Sequence, residues 1–253
     1  MAEAILSRLL SQQVFAASTV LVSEPIADRR DYLAQQYQIQ VTEDNQAAVS
    51  ASEILLLAVK PQVFDLVTAN LTPNTQNTVI SILAGVTIAK LEQAFSNQPV
   101  IRVMPNTPAT VGAGMTAIAL GTKATDKHLK QARTIFQAVG DVVEVPESSI
   151  DAVTGLSGSG PAFIALAIEA LADGGVASGL PRAIALQLAT QTVLGTATLV
   201  KETGKHPGVL KDLVTSPGGT TIAGVAKLES LGFRSALIEA VKTATARSKE
   251  LGE

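Results

Sequence analysis

The hydrophobic pattern of the chain changes near residue 146, and this change constrains the fold more than any other feature. Between residues 19 and 146, short apolar runs alternate with segments of helical periodicity. Several runs consist almost entirely of Val, Ile and Leu, as in strands buried on both faces. The alternation predicts an α/β fold with a Rossmann-like, doubly wound and mainly parallel sheet. The expected strands are Thr19–Val22, Ile54–Val59, Thr78–Leu83, Val100–Met104, Met115–Leu120 and Val142–Val145.

Helices account for the rest of the pattern. In the first half they are expected at Ala27–Tyr37, Asn45–Ser50, Pro61–Ala69, Ile88–Ser96 and Asp126–Val139. Beyond residue 148 the strand pattern stops, and helices are expected at Gly160–Ser178, Pro181–Thr203, Pro207–Val214, Thr221–Leu231 and Phe233–Leu251. We therefore predict a dinucleotide-binding domain over residues 1–146 and an all-helical domain over residues 147–253.

The first long helix of the second half is apolar around most of its circumference, and such a helix must be covered on all sides. A helical domain of this size can scarcely cover it alone. We therefore expect a homodimer or larger homo-oligomer built through the C-terminal half.

Composition excludes several classes of function. The net charge is −3 and there is no basic run, which argues against nucleic-acid binding. The absence of cysteine removes thiol catalysis, disulfides and cysteine-based metal sites, and it fits a cytosolic protein. No continuous apolar run reaches the roughly 18 residues of a membrane span. Neither a metal nor a membrane is therefore expected as a partner.

The segment KDLVTSPGGTTI at residues 211–222 has the character of an anion-binding site. Adjacent glycines allow backbone N–H groups to converge on one point. A helix starting at Thr220 or Thr221 adds free N–H donors and the positive end of its dipole. The sequence therefore predicts a seat for a small carboxylate, with the hydroxyl of Thr215 beside it.

Turns of small or rigid residues follow three of the expected strands, at the edge where a dinucleotide binds. They are Lys60-Pro61, Ala84-Gly85 and Pro105-Asn106-Thr107-Pro108. Another strand end carries Ser23 and Glu24, followed by Arg29 and Arg30. An acidic residue here pairs with the ribose of NAD, whereas an arginine accommodates the 2′-phosphate of NADP. The segment offers both, and Ser23 with the arginines favours NADP while NAD stays possible.

The chain opens on a helix, whereas a nucleotide-binding sheet normally opens with a strand and a glycine-rich turn. We expect that the first strand and its glycine loop are missing from the sequence as given, through a start codon placed too far downstream or a truncation. The alternative is a protein that has lost the loop and with it firm dinucleotide binding.

Several segments together resemble pyrroline-5-carboxylate reductases over essentially the whole chain. They are MAEAI at the start, AVKP at 58–61, MPNTPA at 104–109, TGLSGSGPAF at 154–163, KDLVTSPGGTT at 211–221 and ESLGFRSALIEAV at 229–241. The resemblance implies a Rossmann-like domain, a helical domain that interlocks two subunits, and NAD(P)H-dependent reduction of 1-pyrroline-5-carboxylate to L-proline. In that family the glycine-rich loop precedes the MAEAI-like segment.

The resemblance also implies roles for individual residues. Asn45 is expected on the ribose side of the cofactor, which is lined by Ala58, Val59, Lys60, Pro61, Ala84 and Gly85. Gly218, Gly219, Thr220 and Thr221 are expected to hold the substrate carboxylate, with Val214 and Thr215 beside the ring. The hydroxyl of Thr221 is expected near the ring nitrogen, as the residue closest to the chemistry.

Two other functions remain open at this point. One is a related imine or β-hydroxyacid reductase. Such a hydroxyacid reductase is expected to carry a lysine on its first C-terminal helix, whereas the only charged residue among residues 163–172 of this chain is Glu169. The other is a non-catalytic dimeric paralogue that has lost dinucleotide binding.

Overall fold

The chain forms two compact units in a computed structural model that describes residues 1–75 and 77–252. The first unit comprises Met1–Ser159 together with the described residues from Thr243 onward, and the second comprises Gly160–Lys242. The boundary predicted between residues 146 and 147 lies just beyond the last strand. As a boundary between domains it stays a prediction.

All strands of the described residues belong to the first unit. They are β1 Leu21–Ser23, β2 Gln40–Thr42, β3 Ile54–Leu57, β4 Thr78–Ser81, β5 Val100–Met104, β6 Gly114–Leu120 and β7 Gly140–Glu144. Six lie where the apolar runs predict them, with ends that differ by up to two residues. Strand β2 was not predicted, because Gln-Val-Thr is too short and too polar to stand out as an apolar run.

The strands form two sheets. Strands β1 and β2 pair in parallel, and a second sheet has the order β3-β4-β5-β6-β7. Within it only the pair of β5 and β6 is antiparallel. No pairing joins the two sheets within residues 1–75 and 77–252. The mainly parallel sheet is thus confirmed, and it is divided into two parts.

Helices cover the sheets of the first unit, in the alternation that the sequence predicts. They are α1 Ala2–Ser11, α2 Ala27–Tyr37, α3 Asn45–Ala51, α4 Phe64–Thr68, α5 Ile88–Ala94, α6 Asp126–Gln137 and α7 Ile150–Val153. The predicted helix over residues 61–69 begins as a 3₁₀ turn, Pro61–Val63. Proline suits this first position because its φ is fixed and the backbone N–H that it lacks would have no partner there.

Both faces of the larger sheet are buried. Along β4, Val79 packs into a cluster with Phe64 and Phe95, whereas the next residue, Ile80, packs with Phe136 on the opposite face. All five side chains are essentially inaccessible to solvent. Successive strand residues point to opposite faces, which explains the continuous apolar runs of the sequence.

The helix predicted to start at Gly160 does start there, and it ends a longer helical stretch that runs from Glu147 to Ala177. Its middle, Thr154–Gly158, is a π-helical segment, closed by a bond from the Ser159 amide to the Thr154 carbonyl (2.8 Å). An extra residue in the turn is a common way for a helix to accommodate a proline, here Pro161.

The second unit is built only from helices, as predicted. They are α8 Gly160–Ala177, α9 Arg182–Thr203, α10 Pro207–Leu213, α11 Thr220–Ser230 and α12 Phe233–Gly252, of which the last continues into the first unit. Helices α8 and α9 pack through small residues, with Ala172, Ala185 and Ala189 buried. Their larger apolar side chains lie outside this contact, and Leu166, for example, is 66% exposed.

Two helical stretches have the length and apolar composition of a membrane span. They are Glu147–Ala177 and Arg182–Thr203, each with a mean hydropathy of 1.4. Core helices of soluble proteins pass the same test, so these stretches are weak support for a membrane location. The expectation that no membrane is a partner rested on continuous apolar runs, and it stays a prediction.

Candidate cofactor and substrate sites

The carboxyl ends of β1 and β2 bring two predicted cofactor residues into contact. The Ser23 hydroxyl donates a hydrogen bond to the Asn45 side-chain oxygen (2.7 Å). The two strands are parallel and in register from Leu21 to Ser23, so their ends lie side by side. This bond leaves the Asn45 amide nitrogen available as a donor. A hydroxyl and an amide in this position suit the hydroxyl groups of a ribose.

Arg30 fixes the turn that follows β1. Its Nη1 donates to the carbonyl oxygens of Glu24 (2.8 Å) and Pro25 (2.9 Å), and its Nη2 forms an ion pair with Glu43 (3.0 Å). The Glu24 carboxylate accepts from the Ile26 amide (3.0 Å) and so caps the same turn. Glu43 was not among the predicted site residues. It follows β2 directly, and because that strand was not predicted, Glu43 could not be placed here from the sequence.

Arg29 takes part in a different cluster, with residues of α1 and α2. Its guanidinium pairs with the Glu3 carboxylate, which also accepts from the hydroxyls of Tyr32 (3.0 Å) and Tyr37 (2.8 Å). Hydrogen bonding from Arg29, followed by that from Tyr37, lowers the pKa of Glu3. Burial, followed by the bond to Glu3, raises the pKa of Tyr37 to about 12. A cofactor contact of Arg29 stays a prediction, and such a contact competes with Glu3.

The turns after β3 and β4 lie next to each other. The Ile82 amide donates to the Leu57 carbonyl (3.1 Å), which ties the start of one turn to the end of the other strand. Ala58, Val59 and Pro61 are half-buried, whereas Lys60 is exposed. These residues are thus placed together at one sheet edge, as predicted, and their contact with a cofactor remains untested.

In the turn after β4, two structural features require a glycine at Gly85. Its φ of +76° lies in the left-handed region, which disfavours a side chain. A Cβ atom there would also lie 2.9 Å from the Leu251 carbonyl oxygen, near the end of α12. Ala84 beside it is exposed. The backbone therefore approaches closely at Gly85, and any larger residue would displace the C-terminal helix.

The Asn106 side chain links three segments of the chain by hydrogen bonds. Its Oδ1 accepts from the Met115 amide (2.9 Å), and its Nδ2 donates to the carbonyl (3.1 Å) and hydroxyl (3.2 Å) oxygens of Ser157. In a regular helix the donor to the Ser157 carbonyl would be residue 161, which is proline and has no N–H. Asn106 supplies the missing donor. Its predicted cofactor contact stays a prediction, because most of its hydrogen-bonding capacity serves the fold.

The predicted anion seat is a tight turn followed directly by a helix. The Gly219 amide donates to the Ser216 carbonyl (3.1 Å), with Pro217 and Gly218 at the centre of the turn. Gly218 has φ +67°, and this combination of proline and a positive φ defines a type II turn. A Cβ atom on Gly218 would meet nothing within 4 Å, so its glycine is required by conformation and leaves open space above the turn.

Helix α11 starts at Thr220, immediately after this turn. The amides of Thr220, Thr221 and Ile222 have no acceptor among the described residues, as expected for the first turn of a helix. The hydroxyls of Thr220 and Thr221 are also without a partner in the part of the chain that the structure describes, and Thr221 is half-buried. The donors expected for a carboxylate are therefore present and unused.

Of the two residues before this turn, Thr215 already has a hydrogen-bond partner and Val214 is exposed to solvent. The Thr215 hydroxyl donates to the Lys211 carbonyl (2.7 Å), so it terminates helix α10. Its remaining acceptor capacity can still face a ligand. Val214 is 64% exposed and offers an apolar surface beside the turn. Contacts of both residues with a substrate ring stay predictions.

Both histidines have structural roles at helix starts. His206 accepts from the Gly208 amide (3.1 Å) at the start of α10, and His128 accepts from the Thr125 amide (3.0 Å) in a capping box of α6. Burial, and secondarily the charge of Lys127, lower the pKa of His128. Within residues 1–75 and 77–252 no group of three acidic or histidine side chains could hold a metal ion.

Comparisons with known proteins cover both halves of the chain. Residues 147–251 match the family described as pyrroline-5-carboxylate reductase dimerisation, and residues 1–85 match the family described as NADP oxidoreductase, coenzyme F420-dependent. A pyrroline-5-carboxylate reductase of Synechocystis sp. is 61% identical over 100% of this chain and 95% of its own length.

Solved structures of the same kind are also similar. A pyrroline-5-carboxylate reductase from Coxiella burnetii has a TM-score of 0.92 at 33% identity, covering 100% of this chain and 95% of its own. The Plasmodium falciparum enzyme, solved with NADP bound, has a TM-score of 0.89 at 30% identity and covers 99% of this chain and 94% of its own. The similarity spans the Rossmann-like part and the helical part alike, and the chain belongs to the pyrroline-5-carboxylate reductase family.

Proposed function

We propose that this chain reduces 1-pyrroline-5-carboxylate to L-proline with NADPH, the last step of proline synthesis. The observation that carries the proposal is the turn Ser216–Gly219 with its unused donors at the start of α11. It occurs in a chain of the pyrroline-5-carboxylate reductase family, and its chemistry suits the substrate. A carboxylate accepts several backbone N–H bonds, and the positive end of the helix dipole favours its charge.

The residues of the first unit suit an NADP cofactor by the chemistry of their donors. Ser23 and Asn45 offer hydrogen bonds to ribose hydroxyls, and Arg30 offers a guanidinium to a phosphate. The turns at Lys60-Pro61 and Ala84-Gly85 present backbone at the same sheet edge. NADPH, when bound, supplies a hydride. NADH stays possible as a second cofactor, since nothing in this donor set requires a 2′-phosphate.

The chain's own contribution to the reaction is binding, orientation and control of one proton. A protonated cyclic imine accepts hydride readily, so neither a nucleophile nor a metal is needed. The amides of Thr220, Thr221 and Ile222 would hold the carboxylate and thereby fix the ring. Orientation of this kind accounts for a large share of the rate in many enzymes.

The hydroxyl of Thr221 is the group that we place at the ring nitrogen. A threonine hydroxyl is a weak acid, so its role is to hold the proton of an already protonated imine rather than to deliver a new one. After reduction the same proton remains on the nitrogen of proline. Thr221 is therefore proposed as the residue in contact with the reacting atoms.

Oligomerisation covers the apolar helices of the second unit. The dimerisation family matches residues 147–251, which supports a homo-oligomer formed through this region. We propose a homodimer as its building block, with larger assemblies made from dimers. A cytoplasmic location and the absence of nucleic-acid partners stay predictions from composition.

Substitution at Thr221 tests the proposal. Thr221→Ala is expected to lower kcat for 1-pyrroline-5-carboxylate about a hundredfold, within the range typical of lost proton control. Thr221→Ser keeps the hydroxyl and should recover most of the rate. NADPH binding, followed by its fluorescence, should be unchanged in both variants. Ser230→Ala, at the far end of the same helix, serves as the control with normal activity. Unchanged turnover in Thr221→Ala, or an equal loss of NADPH binding, would remove Thr221 from the mechanism.

A further inference from the structure

Arg30 is held in a way that leaves only part of its guanidinium for a ligand. Two backbone carbonyls, of Glu24 and Pro25, occupy Nη1 and fix the orientation of the group beside the end of β1. Nη2 points to Glu43 (3.0 Å). The Arg30 side chain is only 18% exposed, whereas that of Glu43 is 74% exposed. The Arg30 side chain is thus held in place, whereas the exposed Glu43 carboxylate can move away from it.

The carboxyl end of this strand is where the adenosine ribose of a dinucleotide lies, and an arginine there accommodates a 2′-phosphate. A phosphate that binds Nη2 of Arg30 has to displace the Glu43 carboxylate. It also meets the negative charge of Glu43 afterwards, because the two strand ends are adjacent. The remaining arginine of α2, Arg29, is already paired with Glu3.

We propose that Glu43 sets the cofactor preference of this chain by competing with the 2′-phosphate of NADPH for Arg30. The inference rests on the proposed function, since it assumes that a dinucleotide binds at this edge. Glu43 lowers the affinity for a 2′-phosphate and leaves a 2′-hydroxyl unaffected. Glu43 therefore reduces the difference in affinity between NADPH and NADH, and its removal increases that difference.

Adenosine 2′,5′-bisphosphate and adenosine 5′-monophosphate test this end of the site without the reaction. The protein is prepared with any in-frame residues that precede Met1, and both nucleotides are titrated by calorimetry at low salt. Glu43→Gln is expected to tighten the bisphosphate about fivefold, the effect of one nearby surface charge, while the monophosphate changes less than about twofold. The gain should shrink as salt is added, because surface charges are screened.

A double-mutant comparison separates competition from general repulsion. Arg30→Gln should weaken the bisphosphate about tenfold, and Glu43→Gln in that background should then have an effect of less than about twofold. Glu229→Gln breaks an exposed ion pair with Arg234 in the second unit and should change neither nucleotide.

Three results would overturn the inference: an unchanged bisphosphate affinity in Glu43→Gln, an equal shift of both nucleotides, or a full effect that persists without Arg30. Reduction of 1-pyrroline-5-carboxylate by the unmodified protein is measured separately. If that protein turns over but Glu43→Gln leaves the NADPH-to-NADH preference unchanged, only this inference fails. If the unmodified protein neither binds these nucleotides nor reduces 1-pyrroline-5-carboxylate with NADPH, the proposed function fails as well.

Discussion

The two units of this chain bury apolar surface in different ways. In the first, three phenylalanines and several Ile, Leu and Val side chains are fully enclosed on both faces of a sheet. In the second, the buried residues are chiefly three alanines between α8 and α9, while many Leu and Ile side chains are exposed. The first unit has a core of its own, and the second has helices that need a partner. Apolar content alone therefore does not locate a core.

The largest effect is expected from a cavity in the core of the first unit. Phe136→Ala removes a fully buried ring and should lower the free energy of unfolding by about 4 kcal/mol. Urea denaturation measures the change. Val111→Ala removes a side chain that is 74% exposed in the same unit and should cost less than about 0.5 kcal/mol. Equal costs for the two variants would contradict the description of this core.

A partly buried ion pair of the first unit comes next. Arg102 is 7% exposed and pairs with Glu147 (2.9 Å), whose Oε1 also accepts from the Ile88 amide (2.6 Å). Glu147→Ala leaves a buried charge without a partner and should cost about 3 kcal/mol in the same denaturation experiment. Asp65→Ala removes an exposed pair with Lys90 and should cost less than about 1 kcal/mol. A negligible cost for Glu147→Ala would show that solvent replaces the pair.

A charge on an exposed leucine distinguishes the second unit from the first. Leu166→Asp, on α8, is expected to weaken the dimer by at least about tenfold, since a buried carboxylate would lie in the interface. Analytical ultracentrifugation over a range of protein concentrations measures this. Leu66→Asp, on the exposed side of α4 in the first unit, should leave the dimer intact. A dimer unaffected by both changes would mean that α8 does not form the interface.

The smallest expected effect concerns His128 and pH. Its folded-state pKa is lowered from the usual value near 6.5, so the neutral ring contributes stability above that pH. This contribution is lost as pH falls through 6.5 towards the lower pKa, because the unfolded chain binds the proton more readily. The cap should be worth about 1 kcal/mol.

His128→Gln provides the matched control for this pH dependence. Glutamine suits the same capping-box position and does not titrate. Histidine titrates between roughly pH 7.5 and 5.5. Over this range the free energy of unfolding of His128→Gln should stay constant, whereas that of the unmodified chain should fall. Identical pH profiles would show that His128 does not titrate in this range.

Prediction from sequence works best where one periodicity governs a long segment. The helix at Ala27–Tyr37 and the strand at Val100–Met104 lie where the pattern places them. Strand β2 escapes notice, because three residues provide too little periodicity. The helical run through Thr154–Gly158 escapes because glycine and serine normally end helices, and here Asn106 supports a π-helical turn that no local signal encodes.

The candidate sites show the same limit. The turn at Ser216–Gly219 is predictable, since proline and glycine at fixed positions determine its type. The partners of Arg29 and Arg30 are not predictable, because Glu3 and Glu43 reach them only through the fold. Adjacent arginines in one helix thus serve different clusters. Side-chain pairing across elements has no periodic signal in a single sequence.

The reductase reaction itself gives the most direct test of this account. The chain is prepared with and without any in-frame residues upstream of Met1, then mixed with NADPH and 1-pyrroline-5-carboxylate. L-proline formed and NADPH consumed are quantified together. We predict equal molar amounts of the two, at least in the longer form. A folded dimer that binds NADPH and yields no L-proline in either form would contradict the proposed function and favour a non-catalytic binding protein.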